Sequence, residues 1–392
     1  MPMNLGLGLG LSRRAVASGG GGGNVAPVIT GVPTISGTAA VGETLTFNPA
    51  SVTGTPTPSR LWKLYRDGVE ILETASSTYD VVGADQGRDL TVEQIETNVA
   101  GSDTATSLAT AIPSLDPATL SPTAWFRPND TTSALFTGSG IPAVSPSVGQ
   151  TVGLHLDKSQ AYGLGSERVT NGSLTGNTGW TSSQGATTVG SAGGIVMTGT
   201  PNSTIVTNAA TTYTSGRIYR ITFTISGYSA GAVYVQLSNG ASAPAVASSN
   251  LTANGTYTIY LLSNGNTTLR FLSSGTTTLS IDDVSAREVL GNHAIQATAG
   301  SRPTLAQTGG GVENLTDDGG DSLNWTAPSG TYTVKYVDTA AAVTTLTSQS
   351  LSGTVDMLPI SGLVEIIYIN RALTSDEDAG LDNYLEDVAN PS

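Results

Sequence analysis

Short stretches in which hydrophobic and polar residues alternate recur along the chain, and residues typical of turns separate them. Alternation with a period of two places the apolar side chains on one face of a β-strand. The clearest stretches are residues 60–66, 89–97, 219–225, 232–237 and 257–261. Residues 363–369 are almost continuously apolar, which is typical of a strand buried on both faces. The pattern therefore predicts an all-β protein.

One segment near the C-terminus departs from this pattern. Ser375 precedes acidic residues and is a good N-cap, and Leu381 and Leu385 are four residues apart. We expect one short helix here, with these two leucines on its buried face.

Composition supports the β prediction. Hydrophobic residues make up 38% of the 392 residues and charged residues only 12%, while Gly and Pro number 48 and 18. Threonine and serine must therefore fill many solvent-facing strand positions, and β-branched threonine suits them. The length predicts several domains.

The N-terminal residues 1–24 form a segment of their own. Leucine alternates with glycine, two arginines follow, and residues 19–23 are a glycine linker. We expect an anchor that adds to the edge of a partner's sheet, with the arginines meeting an acidic rim; a disordered tail is the alternative. The basic residues follow the apolar stretch, an order opposite to that of a signal peptide. The anchor residues are Leu5, Leu7, Leu9, Leu11, Arg13 and Arg14.

Residues 25–112 show regularly spaced short strands with turns between them. Trp62 lies on a central strand, Asp67-Gly68 suits a hairpin turn, and residues 84–87 precede a long strand. This segment resembles bacterial and phage immunoglobulin-like domains, in which Trp62 would belong to the core.

The remaining chain divides around an insertion. The segments 123–130 and 153–159, joined to 291–298 and 301–305, resemble phage tail and fibre proteins with a concanavalin/laminin-G-like sandwich. In those proteins the Leu-Asp-Lys-Ser and Gly-Asn-His-Ala segments are nearly contiguous, whereas here about 130 residues separate them. We therefore expect residues 113–165 and 290–392 to form one split sandwich, with the strands around Leu154 and Ala294 in it and residues 166–289 inserted as a separate unit.

The insert has its own signature at residues 167–174, Gly179-Trp180 and 280–288. It resembles carbohydrate-binding-module jelly rolls of the family four and nine type. The resemblance implies sugar binding only weakly, because the fold is reused. Tyr228 and Trp180 are the candidate ligand-binding residues. The resemblance also implies a structural calcium at Asp282, with Asp283 as the alternative. Strand alternation would point one of these carboxylates inward and the other outward, and simple strand-end capping is the other interpretation.

Other candidate chemistry is sparse. The only histidines, His155 and His293, flank the insertion and suggest either a metal or acid/base pair or, as we favour, polar residues at the junction. The acidic loop 317–321 could hold calcium, although a solvated turn is the simpler interpretation. No catalytic set is recognisable, so we expect no enzyme activity.

The charge, the cysteine content and the hydrophobic runs of the chain argue against several classes of protein and of site. A net charge of −14 without a basic cluster argues against nucleic-acid binding. The absence of cysteine excludes disulfides and thiolate sites, and no apolar run is long enough for membrane insertion.

Together these features predict a structural protein of a phage virion: a fibre, spike or head decoration protein. We expect it to attach to other virion proteins through its N-terminus, to be present as a homo-oligomer or in multiple copies, and to display its sandwiches to host surface polysaccharide. The alternatives are a secreted, extracellular bacterial adhesin that binds polysaccharide and a glycan depolymerase.

Overall fold

The computed structural model describes residues 23–130, 135–137, 145–183, 187–189, 194–209, 212–238, 246–357 and 361–391. About 53% of the chain is strand, and the described residues include an α-helix near the C-terminus, so the all-β prediction is confirmed. The predicted anchor residues, Leu5 to Arg14, lie outside the described residues. No helix within the described ranges has the length and hydropathy needed to span a membrane. The chain divides after Ser114 into two compact units.

Unit 1 consists of short antiparallel strands in three small sheets. Their pairings are β1–β4, β2–β3–β7, and β10–β8–β5–β6 with β9 also on β8. The strands are β1 (Val25–Thr30), β2 (Thr34–Ser36), β3 (Thr44–Asn48), β4 (Ser51–Thr55), β5 (Ser59–Arg66), β6 (Val69–Thr74), β7 (Thr78–Asp80), β8 (Asp89–Asn98), β9 (Gly101–Thr106) and β10 (Thr110–Ala111).

The core of unit 1 forms around Trp62, which is 1% exposed and packs against Phe47 at 5.5 Å between ring centroids. Alternation along β5 and β8 brings Leu64, Leu90 and Val92 to the same core. Trp62 is thus a core residue, as predicted. The β5–β6 hairpin turns at Asp67-Gly68, where both residues have positive φ, as a tight hairpin turn requires.

The outer part of unit 2 is a sheet whose strands come from both sides of the insertion. Its order is β12-β13-β23-β26-β28-β25-β24, with β11 on β28 and β27 on β26. The strands are β11 (Ala124–Phe126), β12 (Leu135–Phe136), β13 (Leu154–His155), β23 (Ala294–Ile295), β24 (Thr304–Gln307), β25 (Glu313–Thr316), β26 (Asn324–Asp338), β27 (Val343–Asp356) and β28 (Leu363–Ile369).

Strands β13 and β23 are direct neighbours, with Leu154 opposite Ile295 and His155 opposite Ala294. The carboxylate of Asp157 holds the two sides of the insertion together. It accepts hydrogen bonds from the backbone N–H of Trp125 and Ser159 on one side and of Asn292 on the other, at 2.7–2.8 Å. Residues 113–165 and 290–392 therefore contribute neighbouring strands to one sheet.

The insert begins and ends on paired strands, because Leu164 lies opposite Val289. Its two longest strands, Ile218–Ser238 and Thr268–Val289, bend at β-bulges, so that each contributes to two parts of the insert. We call the part formed by residues 205–209, 232–238 and 268–274 the first sheet, and the part formed by 218–226, 255–262 and 280–289 the second sheet. The bend needs Gly231, since a Cβ there would lie 2.5 Å from Thr276 O. The strands are β14 (Leu164–Glu167), β15 (Trp180–Ser182), β16 (Thr187–Val189), β17 (Ile195–Thr200), β18 (Ile205–Ala209), β19 (Ile218–Ser238), β20 (Val246–Ala247), β21 (Gly255–Leu262) and β22 (Thr268–Val289).

The insert and the outer sandwich share an apolar cluster. Phe136 and Leu154 of the outer sandwich pack with Ile218 and Val289 of the insert. Tyr260 of the insert stacks on Phe136 at 4.5 Å between ring centroids. The insert is therefore packed onto the outer sandwich, although its main core is its own.

Helix α1 (Ser375–Ala389) packs on the outer sheet through Leu381 and Leu385, both fully buried. Its N-cap is Thr374 rather than the predicted Ser375. Thr374 and Glu377 form a capping box, each side chain accepting the other residue's backbone N–H.

Candidate functional site

Two rows of side chains lie on one face of the insert's first sheet, which contains β18, the first part of β22 and the second part of β19. In the first row Thr207 lies opposite Arg270, which lies opposite Gln236. In the second row, Ile205 lies opposite Leu272 and Leu272 opposite Tyr234. We call this set of six residues the Arg270 face.

Strand alternation sets the direction of the Arg270 face. Residues Val206, Phe271 and Val235 point to the opposite side and are buried in the insert's core. The Arg270 face is consequently the side of these strands that faces away from the insert's core. Arg270 and Leu272 lie on its central strand. Arg270, Thr207, Ile205 and Tyr234 are half-buried, whereas Gln236 and Leu272 are only 8% and 7% exposed.

Arg270 has no charged partner. No ion pair or hydrogen bond joins its guanidinium to any residue that the structure describes, and its buried Nε has no acceptor. Ion pairs involve most of the chain's other described cations, for example Arg217 with Glu288 and Arg287 with Glu167. The face thus offers an arginine, an amide and a hydroxyl beside an apolar strip.

Trp180 does not lie on this face. It is 4% exposed, its ring stacks on Phe271 in the core at 6.2 Å, and its Nε1 donates to Asn171 O at 3.0 Å. The ring packs inside the core rather than on the outer surface of the sheet, which is not the exposed position that the ligand-binding prediction for Trp180 assumed. The cause is strand register, since Trp180 lies opposite Asn208 on the core side of β18.

Tyr228 is half-buried at the bend of β19. Its ring packs against the insert's core, and its hydroxyl donates to Gly231 O at 3.0 Å. Its role in ligand binding stays a prediction.

Asp282 and Asp283 lie at a β-bulge on β22. Asp282 lies opposite Thr224, and Asp283 and Val284 together lie opposite Phe223. Ile281 and Val284 on either side both point into the core. Neither carboxylate therefore points inward, and the alternation prediction was wrong because the bulge adds a residue. Asp283 has a positive φ, and its N–H donates to Asp282 Oδ1 at 2.8 Å.

Among the described residues, one group of three acidic or histidine side chains is close enough to share a metal ion: Asp317, Asp318 and Asp321. Each of these carboxylates accepts backbone N–H groups of its own loop, and Asp317 Oδ1 accepts two, from Gly319 and Asp321. The hydrogen bonds match the solvated turn that the sequence favoured. Asp282 and Asp283 are not part of such a group.

The two histidines are buried near each other. His293 Nδ1 accepts the N–H of Asp157 at 3.0 Å, and its Nε2 lies 2.9 Å from Val289 O, so the ring is neutral with its proton on Nε2. His155 is fully buried beside Phe126, and neither ring nitrogen is hydrogen-bonded to a residue that the structure describes. Burial lowers the pKa of His155 to about 3 and that of His293 to about 4.

Glu365 is a buried carboxyl with a strongly raised pKa. It is fully buried on β28, and burial raises its pKa to about 7, against the opposing effect of Arg127. Its Oε1 accepts Trp125 Nε1 and Tyr384 Oη. Glu365 thus connects β11 and α1 to β28 from inside the protein.

No family model matches the chain, and no curated protein matches it. Among solved structures, one on the promiscuous specificity of carbohydrate-binding modules from the β-sandwich superfamily covers 65% of this chain and 98% of its own, with 12% identity and a TM-score of 0.20. The secreted serine protease VesC from Vibrio cholerae covers 65% of this chain and 50% of its own, with 10% identity and a TM-score of 0.16. A calcium-binding mutant of Bacteroides uniformis β-glucuronidase 2 covers 66% and 28%, with 12% identity and a TM-score of 0.16. Similarity of this degree does not extend to activity or ligand.

The Arg270 face was not predicted from the sequence, because the candidate ligand-binding residues were chosen among the aromatic side chains. The distribution of charged residues along the insert could have indicated it. Residues 168–281 contain four arginines and no Asp, Glu or Lys. An arginine on an alternating strand with no acid nearby in sequence was the signal for an unpaired, outward-facing guanidinium.

Proposed function

We propose that this chain is a non-catalytic binding protein whose insert binds glycans on the Arg270 face. The observation that carries the proposal is the combination of an unpaired arginine and an amide with an adjacent apolar strip, on one face of a rigid sheet. Binding sites usually combine an apolar surface with a few well-placed polar groups.

The chemistry of a sugar matches the two rows. A pyranose ring has an apolar C–H face, which suits the half-buried ring of Tyr234, and a rim of hydroxyl groups. A guanidinium offers five N–H donors, and an amide both donates and accepts, so Arg270 and Gln236 can bind several hydroxyl groups at once. All of these side chains are held by β-strands, which lowers the entropy cost of ordering them.

The distribution of acids supports the non-catalytic part of the proposal. Glycoside hydrolysis commonly needs two carboxyl groups flanking the bond. The strands of the Arg270 face come from residues 168–281, which contain no Asp or Glu. Glu365, whose pKa burial raises to about 7, is fully buried, and its Oε1 accepts hydrogen bonds from Trp125 and Tyr384.

The test is a glycan array probed with the full-length protein, followed by titration of the best ligand. Tyr234→Ala and Gln236→Ala should each weaken binding about tenfold, a loss of roughly 1.4 kcal/mol. Tyr257→Ala is the matched control, because Tyr257 stacks on Phe223 under the insert's second sheet. If Tyr257→Ala weakens binding and the other two variants do not, the site is elsewhere.

We further propose that the protein is a structural component of a phage particle, attached through its N-terminus. Support comes from the sequence resemblance of the outer sandwich to phage tail and fibre proteins and from the Leu-Gly segment followed by a glycine linker. Proteomics of purified particles should find the chain in stoichiometric amounts. Its recovery only from the medium of a bacterial culture, free of particles, would favour a secreted adhesin instead.

A further inference from the structure

We propose that the glycan bound by the Arg270 face is acidic, and that Arg270 receives a sugar carboxylate. This inference rests on the proposed function and adds the chemical class of the ligand. The class includes polymers of hexuronic acids and of sialic acids, which share a carboxylate on a sugar ring.

The first argument is the distribution of charge along the chain. The insert, residues 166–289, contains five arginines and four acidic residues, which gives a net charge of +1. Because the whole chain carries −14, the other residues carry −15. An acidic polymer is therefore repelled by most of the protein and least repelled by the insert.

The second argument is where the insert's acids lie. Glu167, Asp282, Asp283 and Glu288 are the insert's acidic residues, all outside 168–281. Glu167 is paired with Arg287 on the last part of β22, and Glu288 with Arg217, which immediately precedes β19. The Arg270 face consists of other segments of these strands, and no acidic residue lies on it.

The third argument is the unmet hydrogen-bonding capacity of Arg270. Arg270 is half-buried, and no described residue accepts a hydrogen bond from its guanidinium, so the exposed part of the group is available to an anionic ligand. A carboxylate matches the guanidinium in charge and in its two-pronged geometry, whereas a neutral hydroxyl matches only one donor. Thr207 and Gln236, on either side of Arg270, remain available for the hydroxyl groups of the same sugar.

The experiment compares two polymers that differ only in the carboxylate. The full-length protein is titrated with polygalacturonate and with the same polymer after its carboxyl groups have been reduced to alcohols; polysialic acid is the second acidic probe. We expect about tenfold or more preference for at least one acidic polymer over the reduced one, and weaker binding at high salt.

Arg270→Gln should remove this preference. Arg220→Gln is the matched control, because Arg220 is also half-buried and has no ion pair among the described residues, but it lies on β19 in the insert's second sheet. The control should leave the preference unchanged.

Four results overturn the inference. Equal binding of the acidic and the reduced polymer, or binding of the reduced polymer alone, means that the face takes neutral glycans, and the proposed function then stands without an acidic ligand. A preference for acid that survives Arg270→Gln, or no binding of either acidic polymer, also rejects the role of Arg270. The proposed function itself fails separately, if Tyr234→Ala and Gln236→Ala change no glycan binding at all.

Discussion

His155 and His293 show how differently two buried histidines can be accommodated in one sandwich. His293 uses both ring nitrogens to connect Asp157 and Val289 across the insertion. His155 has no hydrogen-bond partner among the described residues and gains only packing beside Phe126. Both rings are neutral in the folded protein, because burial disfavours the imidazolium.

The first prediction follows from these lowered pKa values. The unfolded chain takes up a proton on each histidine near its ordinary pKa of about 6.5, whereas the folded chain does so only near 3 to 4. The stability of unit 2 should therefore be lost as the pH falls from about 6.5 towards 4, by up to about 1.4 kcal/mol per pH unit for each histidine.

His155→Leu should remove the contribution of His155. Denaturant unfolding at several pH values measures it, and the difference in free energy between wild type and variant should change across this interval. Because the unpaired ring makes no hydrogen bond, the variant should be close to neutral at pH 7. A constant difference from pH 7 to 4 would show that His155 titrates normally.

Calcium binding at Asp282 stays a prediction, and the acidic loop 317–321 is the other site that the test must distinguish. If Asp282 is a ligand, calcium should raise the melting temperature of the protein by binding the folded state. Asp282→Ala should abolish the rise and Asp321→Ala should not. The reverse outcome would move the ion to the acidic loop 317–321, and equal melting curves in calcium and chelator would reject both sites.

At the scale of the elements, alternation predicted the strands well, because the apolar period is local information. Stretches 60–66, 219–225 and 363–369 all appear as strands, with the expected residues buried. The helix was predicted one residue off at its N-cap, because Thr374 and Ser375 are both good caps and the position of Glu377 decides between them. Burial of Trp180 and the bulge at Asp283 could not be predicted, since both depend on which strands pair.

The junction between the insert and the outer sandwich gives the next prediction. Phe136→Ala should destabilise unit 2 by about 3–5 kcal/mol, as expected for a buried phenylalanine. Because Phe136 stacks on Tyr260, a double-mutant cycle of these two residues should show a coupling of about 0.5–3 kcal/mol.

The matched cycle pairs Phe136 with Tyr257, which lies on the same strand as Tyr260 but stacks on Phe223. That cycle should be additive. Coupling of equal size in both cycles would mean that the packing at Tyr260 is not specific.

The shared cluster also implies that excising residues 166–289 exposes Phe136 and Leu154, so the excised protein should need polar replacements there to stay soluble.

At the scale of the whole molecule, the sequence predicts three parts along one chain: an N-terminal segment with a glycine linker, a segment that resembles immunoglobulin-like domains, and a sandwich that carries an insert. The charge is divided in the same way, since the insert is slightly basic within an otherwise acidic chain. This division favours a protein that is attached at one end and binds through another part.

The attachment prediction concerns residues 1–18. Four leucines that bury their side chains in a partner's groove could contribute several kcal/mol to attachment, because each buried leucine contributes about 1.5–3 kcal/mol before the cost of ordering the segment. The protein without residues 1–18 should be folded and soluble, yet absent from particles assembled in its presence. Normal incorporation of the shortened protein into particles would show that the anchor lies elsewhere.

The most direct test of the binding account is a crystal structure of the full-length protein with a bound oligosaccharide identified by the array. We predict that the sugar lies on the Arg270 face, with its ring against Tyr234 and with hydrogen bonds to Arg270 and Gln236. A sugar bound instead beside Tyr228, or in the groove of about 310 Å³ between Arg217 and Pro328, with the Arg270 face empty, would contradict the account.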